Sequence, residues 1–294
     1  MSKSEGPMQG DAATPERAQA WVGRVETRTG AVSPELAGMV MGALGHPAAP
    51  QPPIHTGAVL PVLWHWVAFP EFVPISEIAT DGHPKLGGFL PPLPFGRRMW
   101  AGGKLSFKGR FAIGEAITKR SEILSVDFKT GHTGDMAFVR VGHDLRGEGG
   151  AQIREEQDIV YLPIPDSFRA PRAIPAPDAP IFNERVEVGP VRLFRYSAAT
   201  YNAHRIHYDR DYATGAERYP GLVVHGPMQA TLLMEAAMRH TGAAPKRFSF
   251  RGVHPMFDGH LHLQAEADGA TALRLCTVAD AGHQGLQARF EWEE

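Results

Sequence analysis

The stretch His225-Gly226-Pro227-Met228-Gln229-Ala230-Thr231-Leu232-Leu233-Met234-Glu235-Ala236-Ala237-Met238-Arg239-His240 decides the fold. It predicts a helix from Gly226 to His240. Ala230, Leu232, Leu233, Ala236 and Ala237 make that helix apolar on nearly all sides, so a curved sheet has to wrap it. Strand-like runs surround it: Ile181 to Val188 before, then Arg247 to Val253, His260 to Ala267, Ala270 to Ala279 and Gln284 to Trp292 after.

The first half follows the same plan. Lys104 to Ala112, Ala116 to Asp127, Asp135 to Asp144 and Ala151 to Leu162 read as a four-strand meander parted by glycine-containing turns. A helix precedes them. Ser33 caps it, Pro34 takes its first position, Leu36, Met39, Val40, Ala43 and Leu44 form its apolar face, and Gly45 and Pro47 end it. Leu105-Ser106-Phe107-Lys108-Gly109 matches Phe248-Ser249-Phe250-Arg251-Gly252, which marks an internal repeat. One helix against several antiparallel strands, done twice, is a two-layer α+β solution with a pocket between the units.

Boundaries follow from composition. Residues 1–15 read as a flexible tail, 16–162 as the first unit, 163–180 with its six prolines as a stiff crossing, and 181–294 as the second, catalytic unit. From Pro47 to Trp100 the chain is crowded with Pro, Gly, Trp and Phe and has no period, which suits a lid or pocket wall. Across 294 residues, 30 Lys plus Arg stand against 32 Asp plus Glu, so charge makes no case for nucleic acid. Cys276 reads as a buried thiol in a strand. The N-terminus has no apolar stretch resembling a signal peptide, and no run is long enough to span a bilayer. A cytoplasmic protein without membrane partners is expected.

Chemistry concentrates in Tyr201-Asn202-Ala203-His204-Arg205-Ile206-His207-Tyr208-Asp209. Two histidines in a cleft can take and return protons near neutral pH. His204, His207 and Asp209 could alternatively ligate a metal, or the histidines could be structural, satisfied by backbone carbonyls. His225-Gly226 stands where the first-turn amides of the second helix lack partners, a place that stabilises developing negative charge such as that on a thioester enolate. The plain alternative is a cap and tight turn after Pro220-Gly221.

Asn202 to Asp209, Tyr212-Ala213, Pro220-Gly221 and His225-Gly226 before a small-residue helix resemble the R-specific enoyl-CoA hydratase family (hydratase 2, MaoC-like). The resemblance implies the double hot-dog fold: two antiparallel sheets, each wrapped around a central helix. It sets the family's catalytic His on His207, its following Asp on Asp209, its catalytic Asp on Asn202 and its Asn on His204. A carboxamide cannot act as a base. The implied division of labour has His207 as general acid/base, Asn202 holding water or the substrate hydroxyl, and the Gly226 amide polarising the thioester carbonyl. His204 could recover part of the missing base function or position Tyr201, and with Arg205, Tyr201 and His225 it is a further substrate-binding candidate. One branch is more similar still, that of mesaconyl-C4-CoA (3-methylfumaryl-CoA) hydratases and 3-hydroxyacyl-thioester dehydratases. It shares Leu63-Trp64-His65-Trp66, Asp81-Gly82-His83-Pro84, Arg97-Arg98-Met99-Trp100 and Glu156-Gln157-Asp158-Ile159-Val160-Tyr161.

That branch implies reversible hydration of a 2-enoyl-CoA with no metal and no cofactor. Its short acyl group carries a free carboxylate, for which Arg97, Arg98 and Arg205 are candidates. A dehydratase acting on acyl carrier protein, a silent acyl-thioester-binding protein and a thioesterase are the competing readings. An exposed sheet edge or helical face leaves homo-oligomer formation open.

Overall fold

The structure, a computed structural model, describes residues 14–45, 51–131 and 134–293. The tail expected over 1–15 lies outside these up to residue 13, and Thr14 caps a short helix α1 (Pro15–Gln19). Ten strands follow in chain order: β1 (Val25–Gly30), β2 (Arg97–Lys108), β3 (Ile117–Gly131), β4 (Gly134–Gly147), β5 (Gln152–Leu162), β6 (Phe182–Glu187), β7 (Arg247–Gly252), β8 (His260–Ala267), β9 (Ala272–Ala279) and β10 (Gln284–Glu291). The longer helices are α2 (Pro34–Leu44), α3 (Pro190–Thr200) and α5 (Gly226–Thr241), with a short α4 (Arg210–Gly215) before the last. No helix among the described residues is long and apolar enough to cross a membrane.

All ten strands join one antiparallel sheet, ordered β1-β3-β4-β5-β2-β7-β10-β9-β8-β6. Strands from before residue 163 fill one half and strands from after residue 181 fill the other. The halves meet where β2 pairs with β7, and there Leu105 stands opposite Phe248. These two residues are equivalent positions of the sequence repeat, so the repeat crosses itself at the sheet's centre. β2 starts at Arg97 rather than Lys104, with a bulge between Trp100 and Gly102. The glycines that hid this start are needed for close approach: a Cβ at Gly103 would lie 2.7 Å from both the Phe250 ring and the Glu156 carbonyl oxygen.

α5 is the wrapped helix. Met228, Ala230, Leu233, Met234, Ala236 and Ala237 are completely buried, packed among Leu261, Leu263 and Leu275 of the surrounding strands. Its small residues let the sheet close in on it, and full burial of one leucine contributes about 1.5–3 kcal/mol. The edge strands β1 and β6 each lead into a helix opened by proline, and α2 and α3 pack on one another. Neither β1 nor α3 is predicted from the sequence.

The segment between α2 and β2 supplies a 3₁₀ turn, Trp64–Val67, and part of a cavity wall, in keeping with the role its composition suggests. The proline-rich crossing holds no strand or helix, although Pro175 bridges to His283. It contributes more to packing than its composition indicates, because Phe168 sits against Tyr219 and Phe257.

Candidate active site

α3 ends at Tyr201, which adopts a left-handed backbone (φ 52°) and turns the chain back toward the sheet. Asn202 caps the next turn: its Oδ1 accepts the His204 N–H at 3.0 Å, leaving the amide nitrogen as its free pole. The 3₁₀ turn Arg205–His207 follows and buries His207. His207 Nδ1 donates to the Val223 carbonyl at 2.7 Å, which makes Nε2 the unprotonated nitrogen of the neutral ring. His225, which caps α5, stacks on His207 with ring centroids 3.7 Å apart and planes 20° apart. Its Nε2 meets Ser197 Oγ at 2.9 Å. The imidazole of His207 therefore lies beside the first residues of the wrapped helix.

His207, His204, Asn202 and Gly226 line one cavity of about 690 Å³. Arg98, His83, Trp66 and Trp100 complete this part of it from the first half of the chain. Gly226 owes its lack of a side chain to packing, since a Cβ there would meet the Trp100 ring at 3.0 Å. The loop carrying Asp81 and His83 docks directly on the reactive segment. The Asp81 carbonyl accepts Arg205 N–H at 2.9 Å, and a side chain at Gly82 (φ +94°) would run into the Ala203 carbonyl.

His204 is braced by Glu217, which carries no sequence signature, and through it by Arg97. Its Nε2 is 3.1 Å from Glu217 Oε1, and Arg97 Nε is 3.1 Å from the other carboxylate oxygen. A second Arg97 nitrogen donates to the Glu217 carbonyl, and the guanidinium lies 4.4 Å over the Tyr219 ring. All three of Arg97, His204 and Glu217 are buried. His83 packs against His204 with centroids 4.1 Å apart, and its Nδ1 is 2.8 Å from Asp81 Oδ2.

Tyr201, Arg205, Arg97 and His225 lie outside the cavity wall. Tyr201 is exposed and packs on Phe72. Arg205 is spent on Asp209, at 2.9 and 2.7 Å, and lies over the Tyr212 ring. Arg97 and Arg98 are adjacent in a strand and point to opposite faces, so only Arg98 reaches the cavity. Among the described residues Arg98 makes no ion pair, and its side chain lies beside the buried Tyr161 hydroxyl. The metal set His204, His207 and Asp209 is not assembled, because Asp209 caps α4 and pairs with Arg205. Asp81, His83 and His204 do bring ligand-type atoms within 4.8 Å of one another, but the Asp81 carboxylate already holds His83 and His204 already holds Glu217.

Burial sets the protonation of these groups. It drives the His207 pKa well below its ordinary value, and the His225 and His204 rings add to this, while the Val223 contact opposes it. His225 is pushed down to about 3 by burial and then by His204. His83 also falls to about 3, from burial and the nearby Arg98 charge. Burial works to raise the Asp81 carboxyl, but the His83 contacts outweigh it and hold it below the usual carboxylate range.

Toward the first half of the chain the cavity wall mixes polar groups with Phe69, Phe138, Leu145 and Ile159. Glu155 accepts from Trp66 Nε1 at 2.9 Å and Gln157 Nε2 at 2.7 Å, and faces His65 at 3.4 Å. His143 meets Ser121 at 2.8 Å, and the Lys119 ammonium lies 4.4 Å from the Phe69 ring centroid, its pKa lowered by burial.

A family model described as hydroxyacyl-thioester dehydratase type 2 matches residues 63–258. The chain belongs to this family. Mesaconyl-C(4)-CoA hydratase of Chloroflexus aurantiacus is 41% identical over 277 residues, 86% of this chain and 95% of the relative. The mitochondrial hydroxyacyl-thioester dehydratase type 2 of Schizosaccharomyces pombe is 27% identical over 222 residues, 66% of this chain and 73% of the relative. A MaoC-like dehydratase from Phytophthora capsici superposes with a TM-score of 0.70 at 12% identity, covering 96% of this chain and 98% of that one. A Mycobacterium tuberculosis protein described as a double hot dog gives 0.58 at 15% identity, covering 92% and 96%. The fold of this hydroxyacyl-thioester dehydratase type 2 family member is thus the double hot dog, with the two five-stranded halves continuous through β2 and β7. It is an enzyme of the hydro-lyase class.

Proposed function

We propose that the protein reversibly hydrates a short dicarboxylic 2-enoyl-CoA, most directly mesaconyl-C4-CoA (3-methylfumaryl-CoA) to citramalyl-CoA. The observation that carries this reading is the shared cavity of His207, Asn202 and Gly226, with Arg98 in its wall. His207 Nε2 takes the proton of the attacking water. The Asn202 amide nitrogen orients that water, and the unpaired amides at the start of α5 stabilise charge on the thioester oxygen.

In mesaconyl-C4-CoA the free carboxylate is borne by the same β carbon that receives the oxygen, so its anchor has to stand close to His207. Arg98 suits that position. It lines the same cavity as His207 and places its charge near His83. The Lys119 ammonium in the cavity wall works against a fatty chain, which would strip its remaining solvent without replacing it. The Chloroflexus relative supports the same substrate class.

The test is a panel of 2-enoyl-CoA substrates read by loss of the enone thioester absorbance. Turnover of mesaconyl-C4-CoA with little of 2-decenoyl-CoA is expected. Fast hydration of long chains with none of mesaconyl-C4-CoA would overturn the assignment in favour of a fatty-acyl dehydratase.

A further inference from the structure

We infer that His204, braced by Glu217 and Arg97, is a second proton-transfer residue of this site and supplies what the carboxamide at position 202 cannot. The inference rests on the hydration chemistry proposed above. Addition of water to a 2-enoyl thioester moves two protons: one leaves the attacking water and one arrives at Cα. Asn202 can transfer neither, because its oxygen is engaged by the His204 amide and its nitrogen is not a titrating group. His225 is absent from the cavity wall and its Nε2 is taken by Ser197. His204 lines the cavity while one of its nitrogens is bonded to a buried carboxylate, whose other oxygen Arg97 holds. A carboxylate on one nitrogen fixes a histidine's tautomer and orientation and compensates charge that comes and goes on the ring. The charged and titratable groups packed around this ring are Asp81, His83, Arg97, Glu217, His207 and His225.

The step requires His204 to enter with protons on both nitrogens and His207 with none on Nε2. Water oxygen bonds to Cβ as its proton passes to His207 Nε2, and the π electrons move through Cα onto the thioester oxygen. The enolate then takes the proton of the His204 nitrogen that Glu217 does not hold, closing the Cα–H bond and restoring the carbonyl. The proton on His207 returns to His204 through cavity water, so one water has been added and the protein is unchanged. Glu217 and Arg97 are positioning residues in this scheme, acting through His204.

The experiment compares wild type with His204→Asn, Glu217→Gln and the double variant Asn202→Asp/His204→Asn, with melting curves beside full pH profiles of kcat and kcat/KM. H204N is expected to lose about 10²-fold or more in kcat with KM within about 3-fold, and to lose the alkaline limb of the profile. E217Q is expected to show a smaller kcat loss and an alkaline limb moved to lower pH. The double variant, which returns a carboxylate to the cavity, is expected to recover at least about 10-fold over H204N. If H204N keeps kcat within about 3-fold of wild type, or loses only KM with both limbs intact, the inference is overturned. Should H204N not fold, E217Q decides alone: an alkaline limb at the wild-type position overturns the inference. Wild type active on crotonyl-CoA and inactive on mesaconyl-C4-CoA removes the substrate assignment and leaves these comparisons valid on crotonyl-CoA. Wild type inactive on every 2-enoyl-CoA overturns both.

Discussion

At the scale of single residues, the cavity sorts candidates that sequence leaves equal. Arg97, Arg98 and Arg205 read alike, yet Arg97 is committed to Glu217 and Arg205 to Asp209, and Arg98 faces the cavity without an ion pair among the described residues. Replacing Arg98 by Met should therefore raise KM for mesaconyl-C4-CoA by about 10-fold or more, the loss of a charged hydrogen bond, and leave crotonyl-CoA unchanged. Equal effects on both substrates in a steady-state assay would show that Arg98 does not read the carboxylate. The meeting of His207, Asn202 and Gly226 in one cavity was legible because two of them share a short motif and the third opens a helix. Glu217 was not. It is a solitary acid after α4, and its partner Arg97 is 120 positions away in the chain, a pairing that only the fold creates.

At the scale of elements, α5 was legible because it is apolar all round, whereas β1 and α3 were not. β1 reads Val-Glu-Thr-Arg-Thr-Gly, an edge strand with no apolar alternation. α3 exposes Val191 and Phe194, which blurs the face that buries Leu193 and Tyr196. Because α5 is enclosed, Leu233→Ala should cost about 2–5 kcal/mol in chemical denaturation, and a cost under about 1 kcal/mol would contradict the packing described. Glu235 on the same helix accepts from Trp64 Nε1 at 2.9 Å. Burial pushes its pKa from 4.5 up to about 7, against the Trp64 and Arg239 contacts. With the folded value above the unfolded one, its contribution is complete below about pH 4.5 and is lost as pH rises through about 7. Thermal melts of Glu235→Gln should accordingly show a flatter decline on the alkaline side than wild type.

At the scale of the molecule, two units of similar element order share a sheet, a core and one cavity. The repeat of Leu105–Gly109 in Phe248–Gly252 revealed the doubling, but not that the copies pair with each other at the centre. Nor could the sequence show that residues from Lys119 to Gln157 close the cavity opposite His207, because that depends on the register of β3, β4 and β5. The cavity also sets the protein's acid sensitivity. His83 and His225 titrate near 6.5 when unfolded and about 3 when folded, and His207 shifts the same way. A depressed folded value means stability that is present above about pH 6.5 and lost as pH falls toward about 3. Melting temperature should fall steadily from pH 6.5 to 4, and a flat profile over that range would mean the histidines are not held neutral in the fold.

In the hydration proposed above, His207 Nε2, facing the cavity at the start of α5, carries the proton of the attacking water. The most direct test of that role is the initial rate of loss of mesaconyl-C4-CoA enone absorbance with wild type and with His207→Ala of matched melting temperature. A fall of about 10²- to 10⁴-fold in kcat is predicted. A folded His207→Ala variant that hydrates this thioester at the wild-type rate would contradict the account.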